Sequence, residues 1–540
     1  MQIVLKMYFI QLCLLIFINC VLAEVSVNTS VGEIIGKNEE HFSMFLGIPY
    51  GKVDEDNPFG PATPHPAFKT PFKAFNDMPI CTQFVEGVPT GTIHCLQLNI
   101  YTPNNIKQDQ NLPVMVFIHG GQFLMGDSRL ATYLPTFLVK HDVILITVHY
   151  RLGPYGCLCI PNTEYTNQAL KDQNLALQWV KNNIRNFGGD DENVTLFGHS
   201  AGSISTDYHL LFNEGKLFNK VIMQSGNAVA PTLYEDENIG FLQTLAKEVG
   251  VDIKTNVKDL MKTISRIHSH DILNMTRNVA FKICIDNDFV KKTPTVDISN
   301  IKIMIGGTAR EALYFYANDE NTFENYDFES ALKQGFHKMA DDGVNVIENF
   351  YTGKDGVIDF TSNYVFNYPM KRALQYYVGR NATVYRYLFA YNGGRNYMKA
   401  RENVTAVGST HADELGYIFD MTMFHNMSDA DKLVIDRMTV MWTNFAKYGN
   451  PTPSTKPILP LKWLPFTESN VYLQIDKDLK LIEGSPYKQQ MSLWKLFYQR
   501  YGMYAKGISL GEKWLQCSSS GVTMKISTIL VFIPFLFSML

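Results

Sequence analysis

The chain has 540 residues, 46% of them hydrophobic, enough to build the core of a large α/β protein. Charged residues make up 19% and the formal net charge is −4, which excludes a disordered polyelectrolyte. No long basic run is present, so a nucleic-acid-binding role is excluded as well.

The N-terminus carries a lone Lys6, an apolar run from Met7 to Ile18 and the small-residue site Val21-Leu22-Ala23. This pattern predicts a secretory signal peptide over residues 1–23, with Glu24 as the first mature residue. Cys81 and Cys95 flank a turn-rich stretch, Glu86-Gly-Val-Pro-Thr-Gly-Thr92, and suit a loop-closing disulfide. Pro113–Ile118 and Val143–Val148 are short apolar runs that read as buried strands. Cys157 and Cys159 follow at the end of an apolar segment and read as buried thiols. Leu170–Phe187 has helical spacing and is closed by Gly188-Gly189. The acidic stretch Gly188–Asn193 lacks the alternating oxygens of a calcium loop and reads as a turn.

Val194–Phe197 is a third strand, followed at once by Gly198-His-Ser-Ala-Gly202 and a helix-like stretch to Phe212. Val221–Met223 and Ile303–Ile305 add two more strands, while Cys284 between them has no evident partner. Strands alternating with helices predict a mostly parallel central sheet flanked by helices, in one domain. Near the C-terminus come Cys517, small residues 518–521, a polar spacer and the uncharged tail Ile529–Leu540. That order predicts a glycosylphosphatidylinositol anchor signal over 518–540, and Cys517 is a candidate for pairing between chains in a homodimer. The sequons at Asn28, Asn274, Asn381, Asn403 and Asn426 fit glycosylation on a secretory route, whereas Asn193 leaves little room for a glycan.

The chemistry concentrates at Gly198–Gly202, which matches G-x-S-x-G between a strand and a helix. There a serine occupies a tight, strained turn, and the glycines leave room for neighbouring backbone. Ser200 is the candidate nucleophile, with the Ala201 N–H facing the substrate oxyanion. A neutral hydroxyl needs a base, and the base an acid to orient it. Of the downstream histidines, His209 lies on the following helix and reads as packed there. His268 and His270 fall in a polar stretch without further metal ligands nearby. His411 lies in a loop, Gly408-Ser-Thr-His411-Ala-Asp-Glu-Leu415, that suits a base displayed at a sheet edge. Glu311 follows the strand Ile303–Ile305 and is the candidate acid. No metal or organic cofactor is needed for this chemistry.

Ordered matches along the chain resemble the type-B carboxylesterase/cholinesterase family of α/β hydrolases. They include Phe45-Leu-Gly-Ile-Pro-Tyr50, Cys95-Leu-Gln-Leu-Asn-Ile-Tyr-Thr-Pro103, Val116-Phe-Ile-His-Gly-Gly121, Tyr150-Arg-Leu-Gly153 and Asp172–Val180. Phe187-Gly-Gly-Asp190, the Ser200 motif, Gln224-Ser-Gly226, the Glu311 and His411 segments and Trp442–Ala446 continue the series. The resemblance implies an α/β-hydrolase domain over 24–517 with Ser200 as nucleophile, Glu311 as orienting acid and His411 as general base. It also implies an oxyanion hole from the N–H groups of Gly121, Gln122 and Ala201, and a Cys81–Cys95 bridge. The family's usual second disulfide has lost a partner at Cys284.

Other departures bear on substrate. Gln122 stands where the family usually has a third glycine, with its side chain at the pocket mouth. His199 replaces the glutamate typical of cholinesterases, and the Cys81–Cys95 loop has no Trp. Both changes disfavour a cationic choline ester. The expected substrate is a small, apolar, uncharged ester. The alternative is a catalytically weak or inactive adhesion or ligand-sequestering protein of the same family, and the complete Ser200, Glu311 and His411 set argues against it.

Overall fold

The computed structural model describes residues 24–512 apart from 78, 106, 235–238, 251–256, 318–322, 340 and 468–469. The signal peptide, the anchor signal and Cys517 lie outside the described residues.

The principal sheet begins with β1 (Glu24–Thr29), β2 (Gly32–Asn38), β3 (Phe42–Pro49) and β4 (Gln97–Pro103). It continues with β5 (Leu112–Ile118), β6 (Ile144–Val148), β7 (Gly189–His199) and β8 (Lys220–Gln224). β9 (Lys302–Thr308), β10 (Thr383–Phe389), β11 (Tyr472–Ile475) and β12 (Lys480–Ile482) complete its main path. Their spatial order is β1-β2-β3-β4-β6-β5-β7-β8-β9-β10-β11-β12. From β6 to β11 every pairing is parallel, and the flanks are antiparallel apart from the short strand Phe72–Lys73, which pairs with β2 in parallel. The expected mostly parallel sheet is present, with hairpin-like edges.

Side chains alternate along each strand, so a sheet covered on both faces buries both sets. Val114, Val116 and Ile118 of β5 join one core cluster, while Met115 and Phe117 join the other. The first face is covered by α1 (Gln168–Asn183), α2 (Ala201–Phe212) and α3 (Tyr368–Gly379). The second is covered by α4 (Asp429–Tyr448), through Val434, Met438, Met441, Trp442 and Phe445. A third, aromatic cluster joins Phe336, Phe360 and Tyr364 to Trp494, Phe497 and Tyr498 of α5 (Lys488–Tyr501).

Three sequence readings need correction. Cys159 is not a free thiol: it is disulfide-bonded to Cys284, so Cys284 has a partner after all. The amide of Asn167 holds that half of the bridge in place, donating to the Cys284 carbonyl and accepting from its N–H. The stretch 189–193 is not a turn but the first part of β7, preceded by Gly188 in a left-handed helix cap. The helix read through Phe187 ends at Asn183 and tightens into a 3-10 turn, Ile184–Phe187. Cys157 is a buried free thiol as expected, and Cys81 is bridged to Cys95. No helix among the described residues is long and apolar enough to cross a membrane.

Candidate active site

The site is assembled at the C-terminal ends of the parallel strands, where α/β sheets open a crevice. β7 ends at His199 and α2 begins at Ala201, which leaves Ser200 alone to make the turn. Its φ of 55° and ψ of −121° are strained for a residue with a side chain. The surrounding glycines make that conformation possible. A Cβ on Gly202 would lie 1.9 Å from the Ile118 carbonyl oxygen, and one on Gly198 would lie 2.3 Å from the Gly202 oxygen. The Ser200 N–H donates to the Gln224 carbonyl of β8 at 2.8 Å, which ties the turn to the sheet.

Glu311 and His411 come from segments a hundred residues apart and meet below the end of β9. His411 Nδ1 donates to Glu311 Oε2 at 2.8 Å. The other carboxylate oxygen accepts the Thr308 N–H and the Ser225 hydroxyl, each at 2.7 Å. A Cβ on Gly307 would lie 2.3 Å from that oxygen, so glycine leaves the space the carboxylate fills. The His411 N–H and the Thr410 hydroxyl both donate to the Glu311 main-chain carbonyl at 3.1 Å. The acid and the base are thus joined through backbone as well as side chain. Both are buried, whereas Ser200 is half-buried.

Rings enclose the imidazole: His199 at 4.5 Å, Phe366 at 4.8 Å and Tyr314, its plane nearly parallel, at 6.1 Å between centroids. Burial, and then the neighbouring His411, push the His199 pKa well below its ordinary value, so His199 is neutral.

On the far side of Ser200 runs the loop from Gly120 to Gly126. A Cβ on Gly120 would stand 3.0 Å from the Ser200 Cβ, so this loop lies against the nucleophile. Gly121, Gln122 and Phe123 all have positive φ. The N–H groups of Gly121, Gln122 and Ala201 find no acceptor among the described residues. The Gln122 side chain is exposed.

Sequence reasoning missed two partners of this arrangement. Ser225 lies in Gln224-Ser-Gly226, a segment quoted for its resemblance but given no role. Glu414, three residues past His411, is fully buried, and burial followed by the nearby Glu311 raises its pKa to about 8. Gln224 Nε2 donates to Glu414 Oε1 at 3.3 Å, while Oε2 has no partner among the described residues. Their signal was position alone, next to a motif residue.

Of the other histidines, His209 is packed on α2 against Gln173. His268 caps a short helix, Ser269–Met275, and His270 donates to the Gly91 carbonyl. Among the described residues no three His, Cys, Asp or Glu side chains come together as a metal site. Asn28, Asn274, Asn381, Asn403 and Asn426 are exposed, and Asn193 is half-buried with its side-chain oxygen accepting from Lys220.

A mostly parallel sheet with a strained serine between strand and helix, together with a buried Glu–His pair, defines the α/β-hydrolase class of protein. Within that class the chain belongs to the carboxylesterase family, whose pattern matches residues 23–494. It is 29% identical to human bile salt-activated lipase (Homo sapiens) over 83% of this chain and 65% of that protein. The chain therefore spans slightly less than two thirds of the length of that relative. It is 30% identical to juvenile hormone esterase of Tribolium castaneum over 79% of this chain and 84% of the relative. Acetylcholinesterase of Bungarus fasciatus is 28% identical over 88% of this chain and 86% of its own.

Proposed function

We propose that the protein is a serine esterase that hydrolyses neutral, apolar carboxylic esters through an acyl-enzyme on Ser200. The observation that carries this reading is the buried Glu311–His411 pair, 2.8 Å apart, whose imidazole lies 4.5 Å from the ring of His199, the residue just before the strained Ser200.

Ser200 Oγ attacks the ester carbonyl while His411 Nε2 takes the hydroxyl proton. The carbonyl oxygen becomes an oxyanion held by the N–H groups of Gly121, Gln122 and Ala201, each donor worth about a hundred- to a thousandfold in rate. His411 then gives its proton to the departing alcohol, which leaves the acyl group on Ser200. A water molecule loses a proton to His411, attacks the acyl carbon, and the acid departs as Ser200 regains its hydrogen. Glu311 stays ionised and fixes the imidazole with hydrogen on Nδ1.

The preference for an uncharged alcohol rests on the neutral His199 beside His411 and on the Cys81–Cys95 loop, which has no Trp. A secretory route rests on the leader at 1–23, two disulfides and five exposed sequons. The tail 518–540 would replace itself with a lipid anchor, and Cys517 would link two such chains.

Turnover of p-nitrophenyl butyrate by the secreted protein, compared with Ser200→Ala, tests the activity. Hydrolysis by the parent, its loss in the variant and labelling of the parent by a fluorophosphonate are expected. A folded parent that neither hydrolyses nor labels would overturn the reading. Release from intact cells by a phosphatidylinositol-specific phospholipase C tests the anchor.

A further inference from the structure

The donors assigned to the oxyanion are peptide N–H groups, and a peptide is a plane: fixing its C=O fixes the N–H on the opposite edge. The Gly121 N–H shares a peptide with the Gly120 carbonyl, which accepts from His119 Nδ1 at 2.8 Å. The Gln122 N–H shares one with the Gly121 carbonyl, which accepts from the Leu124 and Met125 N–H groups at 2.9 and 3.0 Å. Both donors are therefore aimed by hydrogen bonds made on the far side of the loop.

The loop closes on itself at Gly126. With φ at +119°, Gly126 comes so near the loop's start that a Cβ would lie 2.5 Å from His119 Nδ1 and 2.6 Å from the Gly120 oxygen. Whatever holds Gly126 thus also holds the two aimed peptides. That partner is Gln83, whose amide takes both polar groups of Gly126. Gln83 Nε2 donates to the Gly126 carbonyl at 2.8 Å, and Gln83 Oε1 accepts the Gly126 N–H at 2.8 Å. Gln83 Nε2 also donates to the Cys81 carbonyl at 3.0 Å. The side chain is only 4% exposed. Its own backbone opens the hairpin Gln83–Val85/Val88–Thr90, two residues from the Cys81–Cys95 bridge. The loop that carries the oxyanion donors is accordingly fastened to a disulfide-closed segment with no other part in the chemistry.

We propose that Gln83 is a positioning residue for the oxyanion donors of Gly121 and Gln122, acting by clamping Gly126. This inference rests on the ester-hydrolysis reading above. The clamp touches neither substrate nor reacting atoms, so its loss leaves ground-state binding alone and weakens the hold on the tetrahedral intermediate.

The test uses Gln83→Met, which keeps the length of the side chain and removes its polar atoms. Four quantities are compared with the parent: kcat and KM for p-nitrophenyl butyrate, affinity for an alkyl trifluoromethyl ketone, affinity for the matching methyl ketone, and amide hydrogen exchange over residues 120–126. The fluorinated ketone adds to Ser200 and places an oxyanion in the hole, whereas the methyl ketone reports apolar binding alone. The expected result is a kcat about tenfold or more lower with KM within about threefold, and the same factor lost for the trifluoromethyl ketone only. Exchange at Gly126 and across the loop accelerates, while the rest of the sheet is unchanged. A destabilised but otherwise normal enzyme would instead show a lower melting temperature with kcat and both ketone affinities intact, and that result overturns the proposal. Unchanged exchange at Gly126 overturns it too. If Gln83→Met does not fold, Gln83→Glu serves, since it keeps an acceptor for the Gly126 N–H and loses both donations. A parent no more active than Ser200→Ala would overturn the esterase reading and this inference together, and it would do so before position 83 was changed.

Discussion

Individual side chains around His411 differ in what their removal would cost. Ser225 supplies one of two hydrogen bonds to Glu311 Oε1, the Thr308 N–H being the other. Ser225→Ala leaves the carboxylate one donor short, and a hydrogen bond to a charged group is worth about 1.5 kcal/mol or more. A kcat roughly tenfold lower, with KM unchanged, is the expected steady-state result. His199→Glu would set a carboxylate beside the imidazole, where the cationic end of a choline ester would meet an opposite charge. The ratio of butyrylthiocholine turnover to that of an uncharged isosteric thioester should rise on the order of tenfold. Glu414 gives a pH signature. Its folded pKa of about 8 lies above the ordinary 4.5, so the fold retains a proton that the unfolded chain releases. Stability present at low pH is lost as pH rises through that window. Glu414→Gln has no such proton to hold, and its melting temperature should gain on the parent by a few degrees between about pH 6 and about pH 9. Ser200 and the candidate partners Glu311 and His411 were legible because each sits where glycine punctuation interrupts an apolar run. Ser225 and Glu414 were not, because their importance comes from a neighbour that only the folded chain supplies.

Strands and helices were read best where their pattern was most apolar. β5, β6, β8 and the core of β9 lie where the hydrophobic runs placed them, since a strand buried on both faces writes itself as an unbroken run. β7 begins at Gly189, five residues before its apolar part, because Asp190–Asn193 extends past the covered core and keeps polar side chains at the sheet's end. β1, β2 and β12, at or next to the sheet's ends, escaped notice for the same reason, each being only partly buried. β3, β4, β10 and β11 are mostly buried, and were not read as strands because Ser43, Asn99, Arg386 and Gln474 interrupt their apolar runs. The junction of β7 with α2 has the least tolerance. Gly202→Ala would drive a methyl group into the Ile118 and His119 carbonyls, at 1.9 and 2.7 Å, and α2 would have to lift from β5. Overpacking of this kind costs about 1–3 kcal/mol, so faster thermal inactivation should accompany a large fall in kcat. Inactivation at the parent's rate with full activity would show that the elbow does not depend on this close approach.

Over the whole molecule, the Cys159–Cys284 bridge spans a sequence separation of 125 residues and ties the segment after β6 to the one before β9. No spacing rule points to such a pair, which is why sequence alone left Cys284 without a partner. A closed loop of that size restricts the unfolded chain enough to be worth about 4–5 kcal/mol in the loop-entropy account. Replacing both cysteines with alanine should therefore shorten the half-life at elevated temperature by a large factor while leaving room-temperature turnover near that of the parent. Equal half-lives would show that the parallel sheet holds these segments without the bridge.

Ser200, Glu311 and His411 enter the chain in that order, each brought to one edge of the sheet by a later strand. Synthesis runs in the same direction, and domains begin to organise before the last residues are made. Through β8 a growing chain has its serine elbow and no acid. Through β10 it has Glu311 and still no imidazole for that acid to hold. Termination anywhere before residue 411 leaves a strained serine without its proposed base. Competence thus arrives late in the making of the molecule, and whatever inspects it earlier meets a scaffold that cannot yet run the proposed reaction.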